Sequence, residues 1–342
     1  MDKVFDIIAE EVGVERDELT EDTDFAEFGI DCILAKSILK RISEEMKLDL
    51  SANIFDVHPT VGSLQSQLNK SSKTSTERRS NGEPALSIPA SAGPLSIVLQ
   101  GRVESSKKII FLLPDGSGSG MAYARLPQIQ SGVCLVALNS PFLRSPKTQK
   151  FTVEGIAAIW AEEIRRRQPQ GPYILGGWSA GGYYSFEVTK CLIRYGQKVE
   201  KLVLIDSPCR AVYEELPMEV VHYLSTNNLM GNWGTKQPPA WMVNHFDITI
   251  RAVAEYTPTP MRGSSLPEVH LIWAKEGMLN EVDFNKTGLN PDIKVTRMLL
   301  QRPESDGALG WDLLFPGAKL FVAKMPGNHF TIVYPPNVST AP

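Results

Sequence analysis

The chain has 342 residues, a formal net charge of -4 and a 42% hydrophobic share, the composition of a globular protein with a sizeable core and more chain than one domain usually holds. No apolar run approaches the roughly 20 residues of a membrane span, and Met1 to Phe5 lacks a signal-peptide layout, so a cytoplasmic protein without a membrane partner is expected. Neither a basic run nor a basic-aromatic stripe suggests nucleic acid, and four scattered cysteines, Cys32, Cys134, Cys191 and Cys209, suggest neither a disulfide framework nor a metal site.

The charge is unevenly spread. Residues 1–70 hold 7 Lys+Arg against 16 Asp+Glu, net -9, whereas the remainder holds 28 against 23, net +5. This acidic stretch shows helical patterns at Asp2 to Val12, Ile33 to Met46 and Val61 to Leu68. In the second, Ile33, Leu34, Ile38, Leu39 and Ile42 form an apolar stripe behind Asp31 as an N-cap. A small all-α helical bundle over 1–70 is predicted. Residues 71–95 are poor in large apolar side chains, too few to offset the entropy of ordering, and read as a flexible linker.

From residue 96 to 342 apolar runs alternate with helical stretches. The runs lie at Ser96 to Leu99, Ile109 to Leu113, Val133 to Leu138, Tyr173 to Gly177, Leu202 to Ile205, Val269 to Trp273 and Leu320 to Val322. Such alternation predicts an α/β fold with a mostly parallel sheet. Residues 207–267, rich in Pro, Met and Trp, are too long for a simple connection and read as a lid. Trp233, Trp241, Met230, Met242 and Phe246 could line an apolar chamber beneath it, or serve as ordinary lid packing.

Gly177-Trp178-Ser179-Ala180-Gly181 follows a strand-like run and precedes a helix-like one, the setting of a nucleophile elbow in an α/β hydrolase. Ser179 is the expected nucleophile. Such a serine needs a base and an acid to orient it, in the chain order Ser, Asp/Glu, His. Among five histidines, His329 stands on a loop after the last strand, whereas His58, His222, His245 and His270 lie in helical, lid or strand patterns. Asp206 ends the run Leu202 to Ile205 and is the favoured acid, with Glu276 and Asp283 as rivals. An oxyanion hole is expected from the Ala180 N–H and one from the glycine-rich loop Pro114 to Gly120, where Gly116 or Ser117 is the donor. That loop lacks the ending of a phosphate-binding loop.

These blocks resemble the acyl carrier protein plus thioesterase region (Claisen cyclase type) of fungal iterative non-reducing polyketide synthases. Asp24 to Leu34 and Phe55 to Val61 are similar to the carrier pattern; Pro114 to Gly120, Gly176 to Gly182, Leu204 to Pro208 and Gly327 to Phe330 are similar to the thioesterase blocks. The resemblance implies Asp206 as the acid, phosphopantetheine as the carrier's prosthetic group, no metal, and the upstream domains of the same synthase as partners. It also implies carrier–thioesterase docking and a polyketide acyl thioester as substrate, released through a serine acyl-enzyme by Claisen-type cyclisation, lactonisation, esterification or hydrolysis. Gly29-Ile30-Asp31-Cys32 departs from the family's Gly-x-Asp-Ser, so attachment of phosphopantetheine at Cys32 is not expected. A non-catalytic docking fragment and a free-standing esterase are the alternatives.

Overall fold

The structure is a computed structural model that describes residues 2–338 apart from 13, 15, 17–18, 22, 24, 26–31, 47–49, 51–53, 59, 74–92, 130, 144–149, 231–238, 264 and 303–306. The chain divides into two compact units, Met1–Ala85 and Leu86–Pro342. The linker read at 71–95 and the Asp31 cap fall largely or wholly outside the described residues.

The described residues of the first unit hold four α-helices and no strand: α1 (Asp2–Val12), α2 (Cys32–Met46), α3 (Ile54–Val57) and α4 (Val61–Lys73). Periodicity stops at Leu68 in the sequence because Asn69 to Lys73 carry no apolar residue, yet the backbone of α4 continues helical through them. Val4, Phe5 and Ile8 of α1, Ile38 and Ile42 of α2, and Leu64 of α4 are buried together. Each such apolar side chain contributes about 1.5–3 kcal/mol on burial. Arg41 ties α2 to α1 through Glu10 and through Glu11, 3.2 Å away.

The second unit is built on seven strands: β1 (Ser96–Gln100), β2 (Lys108–Leu113), β3 (Val133–Leu138), β4 (Tyr173–Trp178), β5 (Val199–Ile205), β6 (Glu268–Ala274) and β7 (Leu320–Met325). They form one sheet in the order β1-β3-β2-β4-β5-β6-β7. β1 pairs antiparallel with β3 and every other pair is parallel. Between the strands run α5 (Val153–Arg167), α6 (Ala180–Arg194), α7 (Met218–Thr226), α8 (Ala240–Glu255), α9 (Glu281–Asn285), α10 (Lys294–Leu300) and α11 (Trp311–Leu314). With its helical excursion after β5, this is the α/β-hydrolase fold.

The central strands are covered on both faces, which is why they read as unbroken apolar runs. Cys134, Val136 and Leu138 of β3 pack into one core with Trp160 of α5 and Tyr184 of α6. Leu135 and Ala137 face the other core, with Val221 of α7, Met242 of α8 and Leu300 of α10. β7 closes one edge, and its side chains are mostly exposed.

Candidate active site

Ser179 lies between β4 and α6 with φ 58° and ψ -125°, a conformation that L-residues rarely adopt. The glycines on either side allow it. A Cβ on Gly177 would stand 2.1 Å from the Gly181 carbonyl oxygen, and one on Gly181 would stand 2.6 Å from that of Leu113. The turn is therefore tight enough to place the Ser179 hydroxyl at the end of the sheet. Its own N–H donates to the Ile205 carbonyl at 3.0 Å, fixing β4 to the strand that carries Asp206.

Asp206 follows β5, also with positive φ (46°), and is fully buried. Its Oδ1 accepts the Ala274 N–H at 2.9 Å, and its Oδ2 accepts from His329 Nδ1 at 2.7 Å and Arg302 Nη2 at 2.6 Å. Burial pushes this carboxyl up, but the His329 hydrogen bond and the charges of His329 and Arg302 outweigh it and hold the pKa at about 2. His329, on the loop after β7, directs its other nitrogen, Nε2, at Ser179 Oγ, 3.1 Å away. With Nδ1 donating to a carboxylate, Nε2 is the basic nitrogen facing the hydroxyl. Ser179, His329 and Asp206 are thus joined in one hydrogen-bonded line.

The rival acids lie elsewhere. Glu276 Oε1 accepts the Gly327 N–H at 3.2 Å, so it braces the backbone of the histidine loop. Asp283 is bonded to Asn280 and Lys286 at the exposed start of α9. Of the remaining histidines, His222 is exposed on α7, His58 is half-buried, and His270 stacks on Phe321 with ring centroids 4.8 Å apart.

Arg302 has no signal in the sequence. It follows α10 with φ 51°, its side chain is 8% exposed, and it reaches across 96 residues of sequence to Asp206. Three of the five described non-glycine residues with positive φ are Ser179, Asp206 and Arg302, so backbone strain concentrates here.

The glycine-rich loop after β2 is gripped by the lid helix α8. The Gly116 carbonyl accepts from His245 Nδ1 at 3.0 Å and Thr249 Oγ1 at 3.2 Å, and Gly118 packs against the His245 ring so closely that a Cβ there would fall 2.3 Å from it. Burial pushes the His245 pKa down to about 4, so the ring is neutral and its Nδ1–H is free to donate. The Ser117 N–H is engaged by Asp115 Oδ1 at 3.2 Å, whereas Gly116 opens onto the cavity beside Ser179 and Ala180. Asp115 is itself buried, which raises its pKa to about 6.

That cavity has largely apolar walls, including Leu216, Phe246, Ile250, Val253, Met298 and Leu299. The lid residues read from the sequence as either chamber lining or ordinary packing divide between the two. Among the described residues of that set only Phe246 lines the cavity: Met230 and Met242 are packed into the core beneath the lid and Trp241 is 38% exposed, while Trp233 lies outside the described residues. Residues at one helical spacing on α8, Phe246, Ile250 and Val253, supply the wall instead, a stripe that ordinary amphipathic packing disguises in the sequence.

Comparison with known proteins agrees with this architecture. The thioesterase domain family model matches residues 108–219, and that of the phosphopantetheine attachment site matches residues 2–66. The chain is 35% identical to the non-reducing polyketide synthase terA of Aspergillus terreus over 100% of its own length and 18% of the relative's. It is 34% identical to the norsolorinic acid synthase stcA of Emericella nidulans, over 96% of the chain and 16% of the relative. The chain therefore spans less than a fifth of the length of these relatives. Among solved structures, the NocB thioesterase domain shares the fold with a TM-score of 0.50 at 22% identity, over 69% of this chain and 91% of that one. A four-domain nonribosomal peptide synthetase, AB3403, gives a TM-score of 0.53 at 21% identity, over 98% of this chain and 24% of its own.

The attachment-site match implies phosphopantetheine. Cys32 is the first residue of α2, but the atom it offers is a thiol sulfur and not the hydroxyl oxygen on which a phosphoester is built. The residue present does not fit the group.

Proposed function

Starting from the fact that this chain belongs to the fungal non-reducing polyketide synthases, as a phosphopantetheine-attachment region joined to a thioesterase, we propose that it releases an aromatic polyketide from its thioester through an acyl-enzyme on Ser179. The observation that carries this reading is the hydrogen-bonded line Ser179–His329–Asp206 opening onto an apolar cavity.

Ser179 Oγ attacks the thioester carbonyl while His329 Nε2 takes its proton, and ionised Asp206 balances the imidazolium. The N–H groups of Ala180, at the start of α6, and of Gly116 receive the oxyanion; Ser117 is excluded from this role by its bond to Asp115. Collapse of the tetrahedral intermediate breaks the C–S bond, and the departing thiolate takes the proton from His329. The acyl-enzyme then yields to whichever nucleophile reaches its carbonyl: an enol carbon closes a carbocycle, a hydroxyl gives a lactone or ester, and water gives the acid. The apolar walls favour a nucleophile carried by the acyl chain itself over bulk water. Upstream domains of the same synthase supply the acyl chain.

Intact-mass analysis after exposure to a synthetic aromatic polyketide thioester tests the assignment. The parent chain gains the acyl mass and Ser179→Ala does not. A Ser179→Ala protein that still acylates, or turns over at the parent rate, overturns it. A product lighter than the free acid by one water marks ring-forming release, and the free acid alone marks hydrolysis. No acyl-enzyme at all would point to a docking fragment, and equal turnover of simple oxygen esters to a general esterase.

A further inference from the structure

Arg302 is the one permanently charged cation among the described residues lining the cavity. Were its task only to neutralise Asp206, a guanidinium would be expected to grip the carboxylate with two parallel N–H bonds. It does not. A single nitrogen, Nη2, reaches Oδ2, while the other carboxylate oxygen is taken by the Ala274 N–H. Nε is buried without an acceptor among the described residues, and Nη1 makes no hydrogen bond there either. The side chain nevertheless stays more than nine-tenths buried, on a backbone held at φ 51°. Buried donors left unpaired are costly, and apolar walls make any acceptor brought to them count for more.

We propose that Arg302 recognises a 1,3-dicarbonyl unit of the acyl chain, in its enol or enolate form, through the Nη1/Nη2 end of the guanidinium, using the N–H groups there that Asp206 leaves free. Such a unit is planar and carries two oxygens along one edge, the arrangement a guanidinium fork matches and an ammonium does not. The Asp206 contact fixes the fork beside the reacting carbonyl, so oxygens further along the chain meet it when the thioester is at Ser179. No bond is made or broken by Arg302. The inference rests on the acyl-thioester reading above and adds to it the feature of the substrate that is selected.

The test compares the N-acetylcysteamine thioesters of a phenyl-ended β,δ-diketo acid and of the saturated phenylalkanoic acid of equal length. Loss shared by both substrates in Arg302→Lys or Arg302→Met reports the Asp206 contact. The ratio of their kcat/KM values reports recognition, and it falls at least about tenfold in both variants, because lysine keeps the charge without the fork. An unchanged ratio overturns the inference. Should Arg302→Met fail to fold, the lysine variant decides. A second readout needs no turnover: at fixed pH, Ser179→Ala protein increases the enolate absorption of a linear aryl 1,3-diketone, and Ser179→Ala/Arg302→Lys does not. Equal enhancement by the two proteins also overturns it. If the parent forms no Ser179 acyl-enzyme with either thioester, the functional reading itself fails; acylation by both with an unmoved ratio sinks only the role of Arg302.

Discussion

Asp115 is buried within the glycine-rich loop and His245 is buried against it from α8, and the two titrate in opposite senses. Below its ordinary pKa of 6.5, His245 gains a proton in the unfolded chain that the folded site refuses until about pH 4. It therefore removes about 3 kcal/mol of stability as pH falls through that window. Asp115 behaves in reverse, since the folded state keeps a proton up to about pH 6 that the unfolded carboxyl has released from about 3.8 upward. It removes about 3 kcal/mol as pH rises through that range. The two slopes offset each other between pH 4 and 6. Relative to the parent, His245→Gln should lose stability as pH rises from 4 to 6, and Asp115→Asn should gain it. All six tryptophans lie beyond residue 86, so denaturant unfolding followed by their fluorescence reads this unit alone. Parallel profiles for the three proteins would show that these groups do not titrate as their burial requires.

Residues differ in how openly the sequence announces them. Ser179, Asp206 and His329 stand at strand ends inside short motifs, because a strand that delivers a side chain to the sheet's end must stop there. Arg302 sits in no motif, and its partner is 96 residues away. His245 offers only a helical position, and nothing in a linear pattern shows that its ring covers Gly118.

At the scale of the element, α8 is a lid helix that also builds the floor of the site. His245 and Thr249, four residues apart, hold the Gly116 carbonyl, while Phe246, Ile250 and Val253 face the cavity. Loop and helix interlock through Gly118, which has φ 73° and no room for a side chain. Gly118→Ala should therefore cost about 2 kcal/mol or more and lower acyl-enzyme formation at Ser179 with it. Tryptophan-monitored unfolding and the acylation rate measure the two effects; a variant within 0.5 kcal/mol of the parent, a margin of about the size of ordinary surface changes, would contradict the interlock. The seven strands were legible as seven apolar runs, most plainly the central parallel ones that are covered on both faces. The helical face that α8 gives the cavity was not, because core packing and cavity lining use the same side chains at the same spacing.

At the scale of the molecule, a helical unit carrying a phosphopantetheine-attachment match is joined to a thioesterase unit, and the thiol of Cys32 separates the first from the Gly-x-Asp-Ser pattern that the resemblance implies. Intact mass after treatment with a phosphopantetheinyl transferase and coenzyme A should show no gain for the parent chain and a gain of one phosphopantetheine unit for Cys32→Ser. A gain mapped to Cys32 in the parent would show that the thiol is an acceptor after all. Three of the described helices of this unit, α1, α2 and α4, were legible from their helical patterns, whereas the single turn of α3 is too short to show one, and the residues around Gly29 to Asp31 lie outside those described.

The hydrogen bond from Ser179 to His329 spans 150 residues of sequence. Closing so long a loop is entropically slow, and the strand that precedes His329 joins the sheet at its edge, beside β6. During synthesis the serine elbow, with β2, β4 and β5 around it, emerges from the ribosome well before β7 does. The imidazole partner of Ser179 is accordingly among the last parts of this unit to be synthesised. The Ser179–His329 hydrogen bond therefore depends on the last strand of the sheet, and a chain without β7 lacks the base that faces the serine.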